Sequence, residues 1–146
     1  MNAIIAVFLG GGIGAVMRYL IGKLTLIFYQ GNFPLATLIA NMLACFVLAL
    51  LVYKAIDFKW ISENSKLLLI VGFCGGLSTF STYSIETFDL LKNGALGWAI
   101  LNIVISTAIC LFIVYVIYRK MIWDVNYNLR KFQVVFPHFW GLLQES

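Results

Sequence analysis

Residues 72–84 read GFCGGLSTFSTYS, a polar stretch inside an otherwise apolar part of the chain. Three glycines come first, and five Ser or Thr residues follow within positions 78–84. Each glycine weakens a helix by about 1 kcal/mol relative to alanine. If the surrounding segment spans a membrane, irregular backbone at that depth is tolerated only where protein or a water-filled path covers it. We therefore expect a break in this helix at a functional centre, although close packing of small residues is the alternative.

The composition of the whole chain favours a membrane protein. Of its 146 residues, 62% are hydrophobic and 11% are charged, whereas soluble domains carry about 25% charged residues. Four apolar stretches are long enough to cross a bilayer, which takes about 20 helical residues: 3–21, 33–53, 67–91 and 96–118. The sequence thus predicts an all-α membrane protein with four transmembrane helices and a break in the third.

These stretches define the expected domain organisation. Residues 1–120 form one transmembrane domain, and residues 121–146 form a C-terminal tail that is interfacial or disordered. The net charge of +4 comes from basic residues grouped between apolar runs, as in cytoplasmic loops, so nucleic acid is not expected as a partner. The three cysteines each lie inside an apolar run, which predicts buried, inert thiols rather than a disulfide framework or a zinc site.

Polar side chains also recur at membrane depth in other spans. Thr37 and Asn41 are four residues apart, as are Asn102 and Ser106, so each pair shares one helical face. Hydrogen bonding between helices, worth about 0.6 kcal/mol on average, accounts for each residue taken alone. Together with the hydroxyls of residues 78–84, they indicate a pathway for a small polar solute or ion.

Aromatic and charged residues accompany this polar set. Phe80 and Tyr83 share a face, where they serve packing or direct their positive ring edges at an anion. Arg18 lies near the end of the first span, and Glu86 and Asp89 lie in the last third of the third. Anchoring and function both remain open for these three residues. Four short helices leave little room for a pore, so a pathway would need a second subunit.

Three motifs, in order and at matching spacing, resemble the Fluc/CrcB fluoride channel family. They are GGIGAVMRY at residues 11–19, PLATL at 34–38 followed by Asn41, and GFCGGLSTFST at 72–82. The resemblance covers residues 1–118. It implies a multi-pass protein of the cell membrane that forms dual-topology antiparallel dimers. Such dimers carry fluoride passively out of the cell along two pathways at their interface and so reduce its toxicity.

The resemblance also implies roles for individual residues. Asn41 would be the polar pore residue of the second helix, and Phe80 and Tyr83 would take the positions of two fluoride-contacting phenylalanines. Ser81 and Thr82 would form a hydroxyl track, with Thr37 in the same pathway. The backbone carbonyls of Gly75 and Ser78 would hold a structural sodium ion that is not transported. Departures from the family pattern are Ser78 for Thr, Tyr83 for Phe, and Ala36 and Ala44 for glycine.

Other interpretations remain open at the level of sequence. Seven basic residues lie on the side of both termini, against Lys23 and Lys92 opposite, which favours one orientation; the seven are Lys54, Lys59, Lys66, Arg119, Lys120, Arg130 and Lys131. The chain could therefore pair with an oppositely oriented paralogue rather than with itself, or be a non-conducting subunit. A small multidrug-type transporter is disfavoured because spans one, two and four lack a carboxylate. An enzyme is not expected, since no base pairs with a nucleophile.

Overall fold

The computed structural model describes residues 2–57 and 62–135, and the regular structure in those ranges is entirely helical. Four segments are long and apolar enough to cross a membrane: Ala3–Phe28, Leu35–Val52, Glu63–Lys92 and Leu96–Lys120. The prediction of an all-α protein with four spans is confirmed. The elements are α1 (Ala3–Phe28), α2 (Leu35–Asp57), α3 (Glu63–Lys66), the π-helix π1 (Leu67–Cys74), α4 (Gly75–Leu77), α5 (Phe80–Lys92) and α6 (Leu96–Val135).

Local sequence sets most helix ends. The Asn2 side chain caps α1 by accepting the Ile4 N–H at 3.2 Å, as short polar residues do at helix N-termini. Pro34 comes directly before α2, where its missing N–H costs nothing. Gly94 has a φ of +73° after α5, the left-handed conformation that ends helices and favours glycine.

Helix α1 is longer than the sequence predicts: it continues through residue 28, whereas the apolar stretch predicts an end at residue 21. The cation at Lys23 does not end it, since the ammonium lies 5.6 Å from the centroid of the Tyr19 ring, one turn back. A lysine stem can lie along apolar surface while its charge interacts with an aromatic face. Only the single positive charge at position 23 suggested an earlier end.

The third span changes its backbone geometry along its length. It begins as α3, widens into the eight-residue π1, and returns to α-helix in α4. Ser78 (φ −75°, ψ 155°) and Thr79 (φ −151°, ψ 117°) are extended, and α5 starts at Phe80. These two residues lie within the glycine- and hydroxyl-rich stretch identified from the sequence.

Glycines allow the first and third spans to approach each other backbone to backbone. A Cβ at Gly10 would overlap the Leu68 carbonyl oxygen, and one at Gly14 would lie 2.8 Å from the Leu77 nitrogen. On the other side, a Cβ at Gly72 would meet the Val7 carbonyl oxygen at 2.8 Å. We call this contact between α1 and the π1–α4 segment the glycine seam. Because no side chain fits there, the seam fixes the position of the residues that follow it.

The other helices pack as α2 against α6 and α5 against α6. Helix α6 has 40 residues and is about 60 Å long at 1.5 Å per residue, twice the thickness of a bilayer core. It continues past residue 120, so the helix crosses the expected domain boundary, and residues 136–146 of the expected tail lie outside the described ranges.

The distribution of side chains inverts that of a soluble protein. Large apolar residues face outward on every span, among them Phe8, Phe80 and Phe112 at 77%, 79% and 64% exposure. The interior holds small apolar residues together with buried polar ones: Thr37, Thr79, Thr87, Asn102 and Ser106. Lipid accepts apolar surface, whereas polar groups at membrane depth must find partners inside the protein.

Candidate functional site

The side-chain amide of Asn41 pairs with the backbone of Thr79. Asn41 Oδ1 accepts the Thr79 N–H at 2.7 Å, and Asn41 Nδ2 donates to the Thr79 carbonyl oxygen at 3.3 Å. The Asn41 amide thus supplies the hydrogen-bond partners that the extended backbone of Thr79 does not find within its own helix. Backbone groups at membrane depth need such partners, so Asn41 stabilises the extended pair Ser78–Thr79.

The Thr79 hydroxyl organises the start of α5. It accepts the Thr82 N–H at 3.2 Å, donates to Thr82 Oγ1 at 3.0 Å, and lies 3.3 Å from the Ser81 hydroxyl. This is an N-cap, which satisfies an amide that has no partner within its own helix. Ser81 and Thr82, the residues predicted to form a hydroxyl track, therefore lie in a hydrogen-bonded cluster around Thr79, which is only 6% exposed.

These hydrogen bonds leave two backbone carbonyls without their usual helical donors. In an uninterrupted helix, the Gly75 carbonyl would accept from Thr79 N–H, and the Ser78 carbonyl from Thr82 N–H. Thr79 N–H donates to Asn41 instead, and Thr82 N–H donates to the Thr79 hydroxyl. Gly75 is exposed, with nothing within 4 Å of the position of a Cβ. Both carbonyls are available to accept from, or coordinate, a group outside the helix.

A groove of about 240 Å³ lies beside the extended pair. We call it the aromatic groove, because Phe80 and Tyr83 form one wall, with their ring centroids 5.6 Å apart and their planes at 33°. Its other lining residues are Asn41, Cys45, Ser78, Thr79, Ser106, Thr107 and Cys110. The structure therefore brings together Asn41, Phe80, Tyr83 and Ser106, which come from three different spans.

A second cavity of about 420 Å³, which we call the arginine cleft, is also lined by Thr79. Arg18 and Thr82 line it, and so do Thr37 and Glu86. The Thr37 hydroxyl donates to Glu86 Oε1 at 2.9 Å, while Glu86 Oε2 is buried with no hydrogen-bond partner among the described residues. Arg18 and Glu86, two of the three charged residues whose role the sequence left open, thus line one cavity.

A third cavity of about 370 Å³, the mouth cleft, opens where α5 meets the loop before α6. Glu86, Asp89 and Asn93 line it. Five of the polar lining residues follow α5 at intervals of three and four residues, which places them on one helical face. They are Thr79, Thr82, Glu86, Asp89 and Asn93. Thr79 lines two of the cavities and Glu86 lines two, so this face borders all three over about 21 Å.

A buried hydrogen-bonded chain links α6 to α5. Ser106 Oγ donates to Asn102 Oδ1 at 3.0 Å, Asn102 Nδ2 donates to Thr87 Oγ1 at 2.9 Å, and Thr87 Oγ1 donates to the Tyr83 carbonyl oxygen at 2.7 Å. Asn102 is 1% exposed and is the largest fully buried side chain among the described residues. The predicted pair Asn102–Ser106 therefore anchors the backbone under Tyr83, and only Ser106 reaches the aromatic groove.

Some site residues were missed by the sequence analysis. Thr87 is flanked by Glu86 and Phe88 and lacks the glycine context that marked residues 72–84. Its spacing of four from Tyr83 was the available signal. The cysteines also differ from expectation: Cys74 is buried as predicted, but the prediction is wrong for Cys45 and Cys110, which are partly exposed and line the aromatic groove.

Comparison with known proteins places this arrangement in a family. Residues 5–118 match the family model described as "CrcB-like protein, Camphor Resistance (CrcB)". The chain belongs to the CrcB family. A relative from Shewanella piezotolerans, named "Fluoride-specific ion channel FluC", is 43% identical over 115 residues, which cover 79% of this chain and 92% of the relative.

Further members of the CrcB family support the same placement. A protein of the same name from Shewanella halifaxensis is 40% identical over 115 residues (79% of this chain, 92% of the relative). Another from Azobacteroides pseudotrichonymphae is 39% identical over 106 residues (73% and 85%). These relatives are named as ion channels, so the family is non-enzymatic. With four membrane-spanning helices, the chain is a multi-pass protein of the cell membrane.

Proposed function

We propose that the chain forms a fluoride-selective channel through which fluoride leaves the cell passively, reducing its toxicity. The observation that carries this proposal is the polar face of α5, which borders three neighbouring cavities, one of them the aromatic groove. Curated relatives that match most of the chain are named fluoride-specific ion channels. The face provides a polar route through an otherwise apolar protein.

The chemistry of the aromatic groove suits a small, strongly hydrated anion. Fluoride must exchange its water for hydrogen-bond donors, and conduction requires that it is then released. Asn41 has two amide protons and uses one on the Thr79 carbonyl, so the other is available. The hydroxyls of Tyr83 and Thr107 add neutral donors, and the ring edges of Phe80 and Tyr83 are electropositive. None of these groups carries a charge that would trap the ion.

The arginine cleft would serve as the approach to that groove. Arg18 and Glu86 both line it, so opposite charges can offset each other near the pathway. The Thr37 hydroxyl fixes one carboxylate oxygen of Glu86 at 2.9 Å. We propose that Arg18 attracts the anion and that this fixed carboxylate prevents tight retention, which is consistent with passive flow.

We further propose that two antiparallel copies form the functional channel. Phe80 is 79% exposed, so one wall of the aromatic groove lacks cover from its own chain. A second copy in the opposite orientation would enclose that wall. A homodimer is the simplest assembly, and an oppositely oriented paralogue is the alternative that the distribution of basic residues supports.

The free carbonyls of Gly75 and Ser78 fit a sodium ion shared between two such copies. Sodium prefers hard oxygen ligands, and unwound backbone in membrane proteins supplies them. When bound, the ion would supply positive charge that offsets converging carbonyl dipoles. Dimer unfolding in detergent tests this proposal: sodium, compared with N-methyl-D-glucamine, should raise the midpoint with a saturable dependence on concentration. Equal midpoints in the two cations would argue against the site.

The channel proposal is tested by fluoride efflux from liposomes that hold the purified single polypeptide. A fluoride electrode follows release, with a chloride electrode and protein-free liposomes as controls. Rapid release of fluoride without chloride supports the channel and the homodimer. Silence from a folded dimer contradicts the homodimeric channel, and recovery on co-expression with a paralogue would identify the heterodimer.

A further inference from the structure

Two cysteines from different helices meet at the aromatic groove. Cys45 lies on α2 and Cys110 on α6, helices that pack against each other. Both side chains are partly exposed and line the groove together with Asn41 and Phe80. Their side chains are close enough to interact with each other. The third cysteine, Cys74, is 4% exposed and does not line this groove.

We propose that Cys45 and Cys110 form a two-thiol site for a soft, linearly coordinating d10 cation such as Hg²⁺, and that binding there closes the aromatic groove. The binding half rests on the positions of the two cysteines, which lie on packed helices and line one groove. The closing half rests on the proposed function, because it takes the groove to be part of the fluoride pathway.

The coordination chemistry selects this class of metal. Thiolate sulfur is a soft ligand that prefers soft cations, and a structural zinc site takes four ligands in a tetrahedron. No group of three or more His, Cys, Asp or Glu that could hold a metal occurs among the described residues. A cation satisfied by two sulfurs in a line is therefore the one that this pair can hold.

Charge balance also favours a divalent cation at this depth. Each thiol loses its proton to water, and two S–Hg bonds form, with no change in oxidation state. The product, S–Hg–S, carries no net charge, which suits a site between membrane-spanning helices where isolated charge is costly. Fluoride is a hard anion and competes poorly for Hg²⁺, so permeating fluoride would not displace the metal.

Binding would block the groove in two ways. The ion would occupy part of a cavity of only about 240 Å³, beside the amide of Asn41. It would also join α2 to α6 covalently through sulfur, so the two helices could no longer separate at this level. Both effects act at the residues proposed to strip water from fluoride.

The test uses the full-length protein in liposomes with mercuric chloride as the probe. Binding is read by the protection of each cysteine from N-ethylmaleimide, mapped by peptide mass spectrometry after a glutathione wash that removes singly held mercury. One Hg²⁺ per chain should protect Cys45 and Cys110 together. Cys45→Ser and Cys110→Ser should each abolish protection of the remaining partner, whereas the matched control Cys74→Ser should retain protection of the pair.

Fluoride efflux is measured on the same samples. Mercury should slow efflux by about tenfold or more in the wild type and in Cys74→Ser, with recovery after addition of a dithiol chelator. It should have little effect on Cys45→Ser or Cys110→Ser. Protection that survives either of these substitutions would overturn the two-thiol site, and joint protection with unchanged efflux would overturn the closing of the groove. Joint protection in liposomes that release no fluoride even without mercury would leave the two-thiol site standing and contradict the homodimeric channel.

Discussion

Replacement of Asn41 by leucine tests the central contact of the site. Leucine has a similar size but cannot hydrogen-bond, so the Thr79 N–H and carbonyl lose the partners now at 2.7 and 3.3 Å. Hydrogen bonds between membrane-embedded groups are worth about 0.6 kcal/mol on average and about 1.7 at most. The loss of two should therefore lower the free energy of unfolding by about 1 to 3 kcal/mol, or about 5- to 150-fold in the equilibrium.

The assay is equilibrium unfolding in mixed micelles, where added denaturing detergent is titrated and tryptophan fluorescence reports unfolding. Ser84→Ala is the control, because Ser84 is exposed and donates only to the Phe80 carbonyl of its own helix at 2.8 Å. Fluoride efflux is measured in parallel, since Asn41→Leu also removes a donor from the aromatic groove. If Asn41→Leu unfolds like Ser84→Ala and conducts fluoride like the wild type, the reasoning about this amide is refuted.

Three further substitutions probe other parts of the protein. Gly10→Ala should lower the free energy of unfolding by about 1 to 3 kcal/mol, because its Cβ would overlap backbone in the glycine seam. Gly12→Ala has open space around its Cβ and replaces a helix-weakening glycine, so it should be at least as stable as the wild type. Equal unfolding midpoints for these two variants would contradict the seam. Asn102→Ala should lower the free energy of unfolding by about 1 to 3 kcal/mol, because it leaves the buried hydroxyl oxygen of Thr87 without a donor. An unchanged melting temperature would contradict this role of Asn102. Tyr83→Phe should retain selective fluoride efflux, since the wall formed by the two aromatic rings persists. Loss of fluoride efflux in this variant would show that the Tyr83 hydroxyl is needed.

The sequence predicts the number and location of the spans well, because long apolar runs in a chain with few charges are stable in lipid as membrane-spanning helices. Helix ends are less predictable. Lys23 suggested an end for α1 at residue 21, yet the ammonium finds the Tyr19 ring and the helix continues to Phe28. One charge near a membrane boundary can be accommodated locally, so its position alone does not mark a terminus.

The candidate site is predictable in its members but not in their pairings. Asn41 and Asn102 are conspicuous as amides in apolar runs, and both participate in hydrogen bonds across helices. Which partner each one takes depends on how its helix is rotated, which one sequence does not specify. Asn41 meets the backbone of Thr79, 38 residues away, and Asn102 meets Thr87, which the sequence did not identify. The same uncertainty in rotation hid the meeting of Cys45 and Cys110.

The glycine seam has a consequence for how this protein responds to its lipid. Backbone pressed against backbone cannot slide as side chains do, so the first and third spans must tilt together when the bilayer thickens or thins. Helix α2 contains no glycine, so its contact with α6 is made through side chains and can adjust more freely. In membranes of different thickness, hydrogen exchange should therefore change least along α1 and π1 and most where α2 meets α6. The first and third spans would form a stiff part of the protein and the second and fourth spans a more deformable part, with the aromatic groove between them.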